Sequence, residues 1–379
     1  MSRPCQLSRR DVLKTAAAAA GAGLLPSAAS ADVVSSYPAN KWGTPGLYPA
    51  RVTAMFHSGS TVNLQYQTGP IQQMIRTGLM GLTGMTSYVA GWRQFVGPGD
   101  VVGIKVNPNG NGYTISSPAV IMEIINGLTL AGVNPRNIIV YERYGEILSW
   151  ISWWFPSWVQ TAWASQTATD DQTDITGYDA AHYVDLPLFT DWQAQIPGYQ
   201  SNPAFRRSYA CQFLTRRVNK LINLSVLKNH NAAGVTLALK NLSHGCTNNV
   251  NRSHPSAANY YTTYIPAVVS MPVIRYKAVL HIVDGIHGIY ESGPNGHEMY
   301  VWENKTMYFS TDAVAIDRVG WRVIDAERVA NGMPVSAESP PYIGQPGPLQ
   351  QPQYILSAGA AGLGESRDDS INLQTTVLG

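Results

Sequence analysis

The sequence predicts an α/β protein: a Rossmann-like, mostly parallel sheet flanked by helices, with an aromatic-rich insertion. Three observations carry that expectation. Short apolar runs of strand length recur, as at residues 101–106, where Lys105 is the only polar side chain. Such runs fit strands covered on both faces. Helical stretches with start and stop signals separate them, and polar residues gather directly after them. In open α/β sheets that is where ligands bind.

Taken in order, residues 32–50 are rich in proline, glycine and serine and read as an arm. Residues 52–67 supply a strand and residues 70–82 a helix, so 32–98 holds this arm and the first α/β elements. The main α/β domain spans residues 99–379. It opens with the 101–106 strand and a loop of glycine and asparagine to Tyr113. Ser116 and Ser117 then offer an N-cap and Pro118 a first-turn proline, for a helix that Gly132 stops after Ala131. Residues 137–141 give the next strand, completing a parallel strand–helix–strand unit of right-handed sense.

An insertion of about residues 148–218 follows. Trp150, Trp153, Trp154, Trp158 and Trp163 cluster in it and are expected to pack on the main body. A substrate, quinone or partner-docking surface is the alternative. The α/β pattern resumes with strands at 221–224, 278–283 (ending at Asp284) and 306–310. A helix runs from Asp312 to about Arg328, and a short strand-like tail ends the chain.

The formal charge of +2 belongs to the precursor. The first 31 residues form a positively charged stretch, an alanine-rich apolar run and an Ala29-Ser30-Ala31 cleavage site. That run is shorter than the ~20 residues that span a bilayer, so it reads as a cleaved signal. Arg3, Arg9, Arg10 and Lys14 leave with it against one acid, Asp11, so the mature chain is near neutral. No basic patch remains to neutralise phosphates, which excludes nucleic acid as a partner. No later segment is apolar enough for a stable membrane span. With 13% charged and 45% hydrophobic residues, the chain has the makings of a real core. Of three cysteines, Cys5 leaves with the signal. Cys211 and Cys246 remain, too few for a four-cysteine iron–sulfur cluster, and their pairing is open.

Four places could carry chemistry. Lys105, Asn107 and Asn109, with the glycine-rich loop behind them, suit a carboxylate or phosphate; a salt bridge from Lys105 to a structural carboxylate is the alternative. Lys228 and His230, then Lys240, Asn241, His244 and Cys246, bracket a glycine- and alanine-containing stretch and could face one cavity. Among these, His230, His244 and Cys246 are types that ligate a soft or borderline metal, although their spacing matches no standard zinc pattern. His281, Asp284 and His287 could form a histidine–carboxylate pair, or Asp284 could simply cap a turn. Asp312 reads as a helix N-cap, and Asp317, among apolar residues, calls for a partner such as Lys105, Lys228 or Lys240.

Two resemblances follow from these residues. Arg9-Arg10 followed by Val12-Leu13-Lys14 resembles the twin-arginine export motif, with Val12 where phenylalanine is commoner. It implies passage of a folded protein through the twin-arginine translocase to the periplasm or beyond, a route that often serves cofactor-bearing proteins. The mature part resembles the domain of unknown function 362 family. The likeness rests on Ile-Lys-Val-Asn at 104–107, Thr-Ile-Ser-Ser-Pro at 114–118 and Leu-Lys-Asn-His at 227–230. It continues with Ala-Leu-Lys-Asn-Leu at 238–242, Ile-Val-Asp-Gly-Ile at 282–286, Ser-Thr-Asp-Ala-Val-Ala-Ile-Asp at 310–317 and Gly-Leu-Gly at 362–364. The resemblance implies an α/β fold. Many members carry a ferredoxin-like segment, which suggests redox roles, but this chain lacks it. The matched positions are Lys105, Asn107, Lys228, His230, Lys240, Asn241, Asp284, Asp312 and Asp317.

The expectation is an exported enzyme of redox or acid–base chemistry, acting on an anionic small molecule. Lys228, His230, Lys240 and Asp284 are its catalytic candidates, and the remaining matched residues with Asn109 hold the ligand. A metal or other cofactor would assist. The alternative is a non-catalytic binding or maturation protein that delivers a metal or small anion. N-terminal sequencing of the exported protein should begin at Asp32; a start elsewhere would displace the assigned cleavage site.

Overall fold

The computed structural model describes residues 31–167, 174–189, 195–254, 260–340 and 348–379. The export signal, up to residue 30, lies outside them. The main sheet runs in the order Asn372–Val377, Arg51–Phe56, Thr306–Ser310, Ala278–Ile289, Lys220–His230, Val102–Lys105, Ile138–Tyr141, Gln160–Ala162. Along this path only Thr306–Ser310 runs against its neighbours. The fold class expected from the sequence is the one observed.

Why these residues form a two-faced sheet is visible in the burial. All residues of Val102–Lys105, Ile138–Tyr141 and Ala278–Ile289 are buried, as are those of Lys220–His230 after its first residue. One apolar layer packs Ile104, Val140, Ile222 and Leu280 against the helices Thr68–Thr83 and Pro118–Ala131. The other packs Leu221, Leu227 and Val283 against Leu239, Leu242, Ile316 and Ile324 of the helices Ala238–Cys246 and Ala313–Ala330. Each layer contributes the usual ~25 cal/mol per Å² of apolar area removed from water.

Local signals hold where they were strongest. The helix Pro118–Ala131 starts on Ser117, whose hydroxyl accepts from the Ala119 N–H, and stops at Gly132 with φ 108°. Asp312 caps Ala313–Ala330: its Oδ1 accepts from the Val314 and Ala315 N–H, and its Oδ2 from those of Ala50 and Glu365. One carboxylate thus joins the helix start to the arm and the C-terminal segment. A Cβ on Gly364 would lie 1.9 Å from Oδ1, so only glycine lets that segment approach.

Two strands run further than their apolar cores suggest. Lys220–His230 continues through Ser225, Lys228 and Asn229 because it folds back on Gly234–Thr236, with Lys228 opposite Thr236 and His230 opposite Gly234. Asp284 does not end its strand. Val226 faces Asp284 but Leu227 faces Gly288, so Gly285, Ile286 and His287 form an extra bulge and pairing resumes beyond it.

The segment after residue 148 combines Gln160–Ala162, at the edge of the main sheet, with a separate three-stranded sheet of Asp32–Val34, Tyr178–Asp185 and Arg207–Cys211. Its tryptophans do not pack on the main body. Trp150, Trp153, Trp154, Trp158 and Trp163 are 49–70% exposed, because the helix Gly145–Ser152 buries Leu148 and Ile151 instead. Trp150 lies on the outward side of that helix, and Trp153 and Trp154 follow its end.

Asp312→Ala should lower unfolding free energy by about 3 kcal/mol, since it orphans backbone donors at a buried helix start. Urea denaturation measures this; a loss under ~1 kcal/mol would mean that water replaces the carboxylate.

Candidate functional site

After Val102–Lys105 the chain adds Ile138–Tyr141 and Gln160–Ala162 on one side, then returns to place Lys220–His230 on the other. The strand order therefore reverses between Val102–Lys105 and Lys220–His230. A crevice opens there at the carboxyl ends of parallel strands, as it does in open α/β sheets generally. It is a cleft of about 260 Å³, lined by Lys105, Asn107, Asn109, Glu142, Arg143, Lys228, His230, Lys240, Asn241, His244 and His254 among others.

Its floor is a buried polar network. The Lys105 ammonium donates to Glu142 Oε2 at 2.8 Å, the Val106 carbonyl at 2.6 Å and Asn241 Oδ1 at 3.0 Å. Three donors meet three acceptors, which is what a buried ammonium requires. Asn241 also accepts from Asn107 Nδ2 at 3.3 Å and donates to Asn223 Oδ1 at 2.8 Å. Asn223 in turn donates to the Ala238 carbonyl and to His281 Nδ1. The expected salt bridge from Lys105 thus exists, and it forms one wall of the cleft.

Asn241 reaches the sheet because its helix is pinned. Asp317 Oδ1 accepts from the Ala238 N–H at 2.7 Å and Oδ2 from that of Leu239 at 2.9 Å. Leu237, at the N-cap, has no side chain to do this. Asp317 was expected to pair with a lysine; its partner is the helix N-terminus, whose partial positive charge suits a carboxylate. Burial nevertheless pushes this carboxyl well above its ordinary range, with the two amides pulling it back. At the other end, a Cβ on Gly245 would lie 2.0 Å from Lys105 Cε, so glycine lets the lysine pass beneath the helix.

The other lysines are less well matched. Lys228 donates to Asn107 Oδ1 at 3.0 Å and to the Asn109 carbonyl. Both acceptors are neutral, and burial first, with Lys105 adding to it, brings the amine down to about 7 against the pull of Glu142. Lys240 is 7% exposed and has no hydrogen-bond or ion-pair partner among the described residues; its ammonium lies 5.5 Å from the Tyr261 ring centre. Burial lowers its affinity for a proton well below the ordinary lysine value, and Lys228, Arg143 and Lys105 lower it further.

Two histidines present opposite faces to this cleft. His230 Nδ1 accepts from the Ala232 and Ala233 N–H, which leaves its own proton on Nε2. His254 Nδ1 bonds the Val250 carbonyl, so that nitrogen carries the proton and Nε2 has the lone pair. Burial and Lys240 hold both below the usual range, His254 at about 4.

Of the remaining candidates only His244 lines the cleft. His244 lies between the Ser243 and Ser253 hydroxyls, both at 3.0 Å, so both of its ring nitrogens are engaged. Cys246 is buried beside Cys211, both thiols are free, and no disulfide joins them. Among the described residues no group of three His, Cys, Asp or Glu side chains is placed to hold a metal ion, so His230, His244 and Cys246 do not form the expected ligand set. Asp284 is buried and bonds the Ser117 and Ile286 N–H rather than a histidine. It does not line the cleft, and burial raises its carboxyl to about 7. His281 meets Asn223, and His287 meets Thr61 and the Tyr113 carbonyl, so neither pairs with Asp284. Asp312 and Asp317 cap helices, and neither lines the cleft.

Glu142, Arg143 and His254 were not foreseen. Glu142 and Arg143 directly follow the strand Ile138–Tyr141, so the rule of polar residues after strands would have found them. His254 had no such signal, being brought in by the turn after Asn251–Ser253.

The model of the family described as "Domain of unknown function (DUF362)" matches residues 102–322, more than half of the chain. The protein belongs to the DUF362 family. That span contains every strand end of the cleft and the pinned helix. The twin-arginine signal sequence matches residues 6–26, so this DUF362 protein is exported across the membrane through the twin-arginine translocase. No helix among the described residues is long and apolar enough to cross a membrane. No curated protein matches the chain.

Gly245→Ala should displace Lys105 from its three acceptors and destabilise the DUF362 domain by about 1–3 kcal/mol. A urea midpoint equal to that of the parent protein would show that helix and lysine shift apart without cost.

Proposed function

We propose that the cleft binds a small organic anion and supports proton transfer on it. One observation carries this reading: Lys105, Lys228 and Lys240 line the cleft, and its one carboxylate among the described residues, Glu142, is already bonded to Lys105. Amines gathered in a desolvated cleft bind protons poorly, and a bound anion relieves that cost. A purely structural role accounts for Lys105 in its closed pair with Glu142, but not for Lys240. The volume fits a ligand of a few heavy atoms, smaller than most drug-like ligands require. Acid–base chemistry follows from His230, with its proton at Nε2, and from His254, with a lone pair at Nε2.

The exposed tryptophans favour a second reading, in which the same anion is bound without turnover and passed to a partner docked on that surface. Turnover of a bound anion separates the two.

Oxalate, a compact dianion without a reactive carbonyl, is a suitable probe. Calorimetry should show stoichiometric binding, and Lys228→Met should weaken it about tenfold or more. Affinity should fall as pH rises through about 7, where Lys228 loses its proton. Lys228→Met should flatten that slope. Lys105, Glu142, Arg143, Lys240, His230, His244 and His254 share the cleft, so the comparison with this variant isolates the Lys228 contribution. Wild-type protein that binds neither oxalate nor inorganic phosphate would sink the reading.

A further inference from the structure

We infer that Lys240 is a covalent nucleophile, forming a Schiff base with the carbonyl of a small 2-oxo carboxylate. The inference rests on the anion-binding reading and deepens it. Its basis is the difference between the three buried lysines of one cleft. Lys105 is saturated by Glu142, Val106 and Asn241. Lys228 is held by Asn107 and Asn109. Lys240, although more than nine-tenths buried, has no polar partner among the described residues and has only the face of Tyr261 beside it.

An amine kept for anion binding alone gains from acceptors that hold its charge, as Lys105 has. An amine kept for nucleophilic attack needs its lone pair free, and burial beside other cations provides that. Both conditions meet at Lys240, whose proton affinity is depressed by burial, Lys228, Arg143 and Lys105. The surroundings also supply what a carbonyl addition requires. A carboxylate bound near Lys228 leaves the adjacent carbonyl within the same cleft. His230 offers an N–H at Nε2 to the carbonyl oxygen, and His254 a lone pair at Nε2 to the attacking nitrogen.

The step balances without an oxidant or reductant. The Lys240 nitrogen lone pair forms a C–N bond to the carbonyl carbon while the π pair moves to oxygen. That oxygen, held by the N–H of His230, takes a proton that His254 accepts from the nitrogen and passes on. A second proton passes from nitrogen to the same oxygen, the C–O bond breaks and water leaves. The net change is amine plus carbonyl to imine plus water. His230 and His254 end the step in the protonation states in which they began it.

Full-length mature protein is incubated with pyruvate, glyoxylate or 2-oxoglutarate and sodium cyanoborohydride, followed by intact-mass and peptide mapping. The expected result is a single reduced adduct on Lys240 with at least one of these probes. Lys41→Arg, at an exposed lysine outside the cleft, should retain it, and Lys240→Arg should lose it, with the melting temperature of each variant measured beside that of the parent. If Lys240→Arg fails to fold, protection of wild-type Lys240 from acylation by the productive oxo acid, with oxalate as a weaker competitor, replaces it. No adduct on Lys240 with any probe, or adducts spread equally over the exposed Lys41, overturns the Schiff base. Intact oxalate binding in that case leaves the anion-binding reading standing, whereas loss of both removes the two together.

Discussion

The structure around the cleft depends on burying one ammonium, that of Lys105, at the end of a strand covered on both faces. A charge in that position costs several kcal/mol unless every donor is matched. Glu142, the Val106 carbonyl and Asn241 do so, and each comes from a different direction. Glu142 must stand at the end of the neighbouring parallel strand. Asn241 must descend from a helix, which Asp317 pins at its start and Gly245 thins near its end. Satisfying one lysine thereby fixes the spacing of two strands and a helix. That is why the segments at 104–107 and 238–245 meet at this point.

Against that saturated centre, Lys228 and Lys240 stand out by being incompletely matched. Polar groups in a folded interior are ordinarily paired, so a buried amine that meets only an aromatic face holds free energy that a ligand can recover. The three cleft histidines are kept neutral by the same burial and the same cations, so they present fixed donors and acceptors instead of charges. The arrangement therefore sets neutral, oriented histidines beside buried lysines whose hold on a proton is weakened.

Much of the fold was legible along the chain. The helix Pro118–Ala131 could be read from Ser117, Pro118 and Gly132, and Thr306–Ser310 from its composition, because caps and apolar runs are local causes. The extensions of Lys220–His230 and Ala278–Ile289 were not legible. Their polar residues look like loop in isolation and become strand only when Gly234–Thr236 or the resumed pairing past the bulge supplies partners. The tryptophans misled for a related reason. Aromatic residues usually pack inward, yet here Leu148 and Ile151 had already taken the inward face of their helix.

By itself the sequence determined the export signal, the α/β class, the family and the set of polar residues gathered near strand ends. Each of these rests on residues close together or on motifs in a fixed order. Tertiary structure decided which polar residues share a cleft and which are scaffolding. Asp284, Asp312 and Asp317 are the same residue type in equally suggestive motifs, and all three hold backbone N–H groups instead of facing the cleft. Lys240 and His254 enter it from a helix and a turn that only packing brings to the sheet. The role of a buried charge is set by the donors and acceptors around it, and these come from distant parts of the chain.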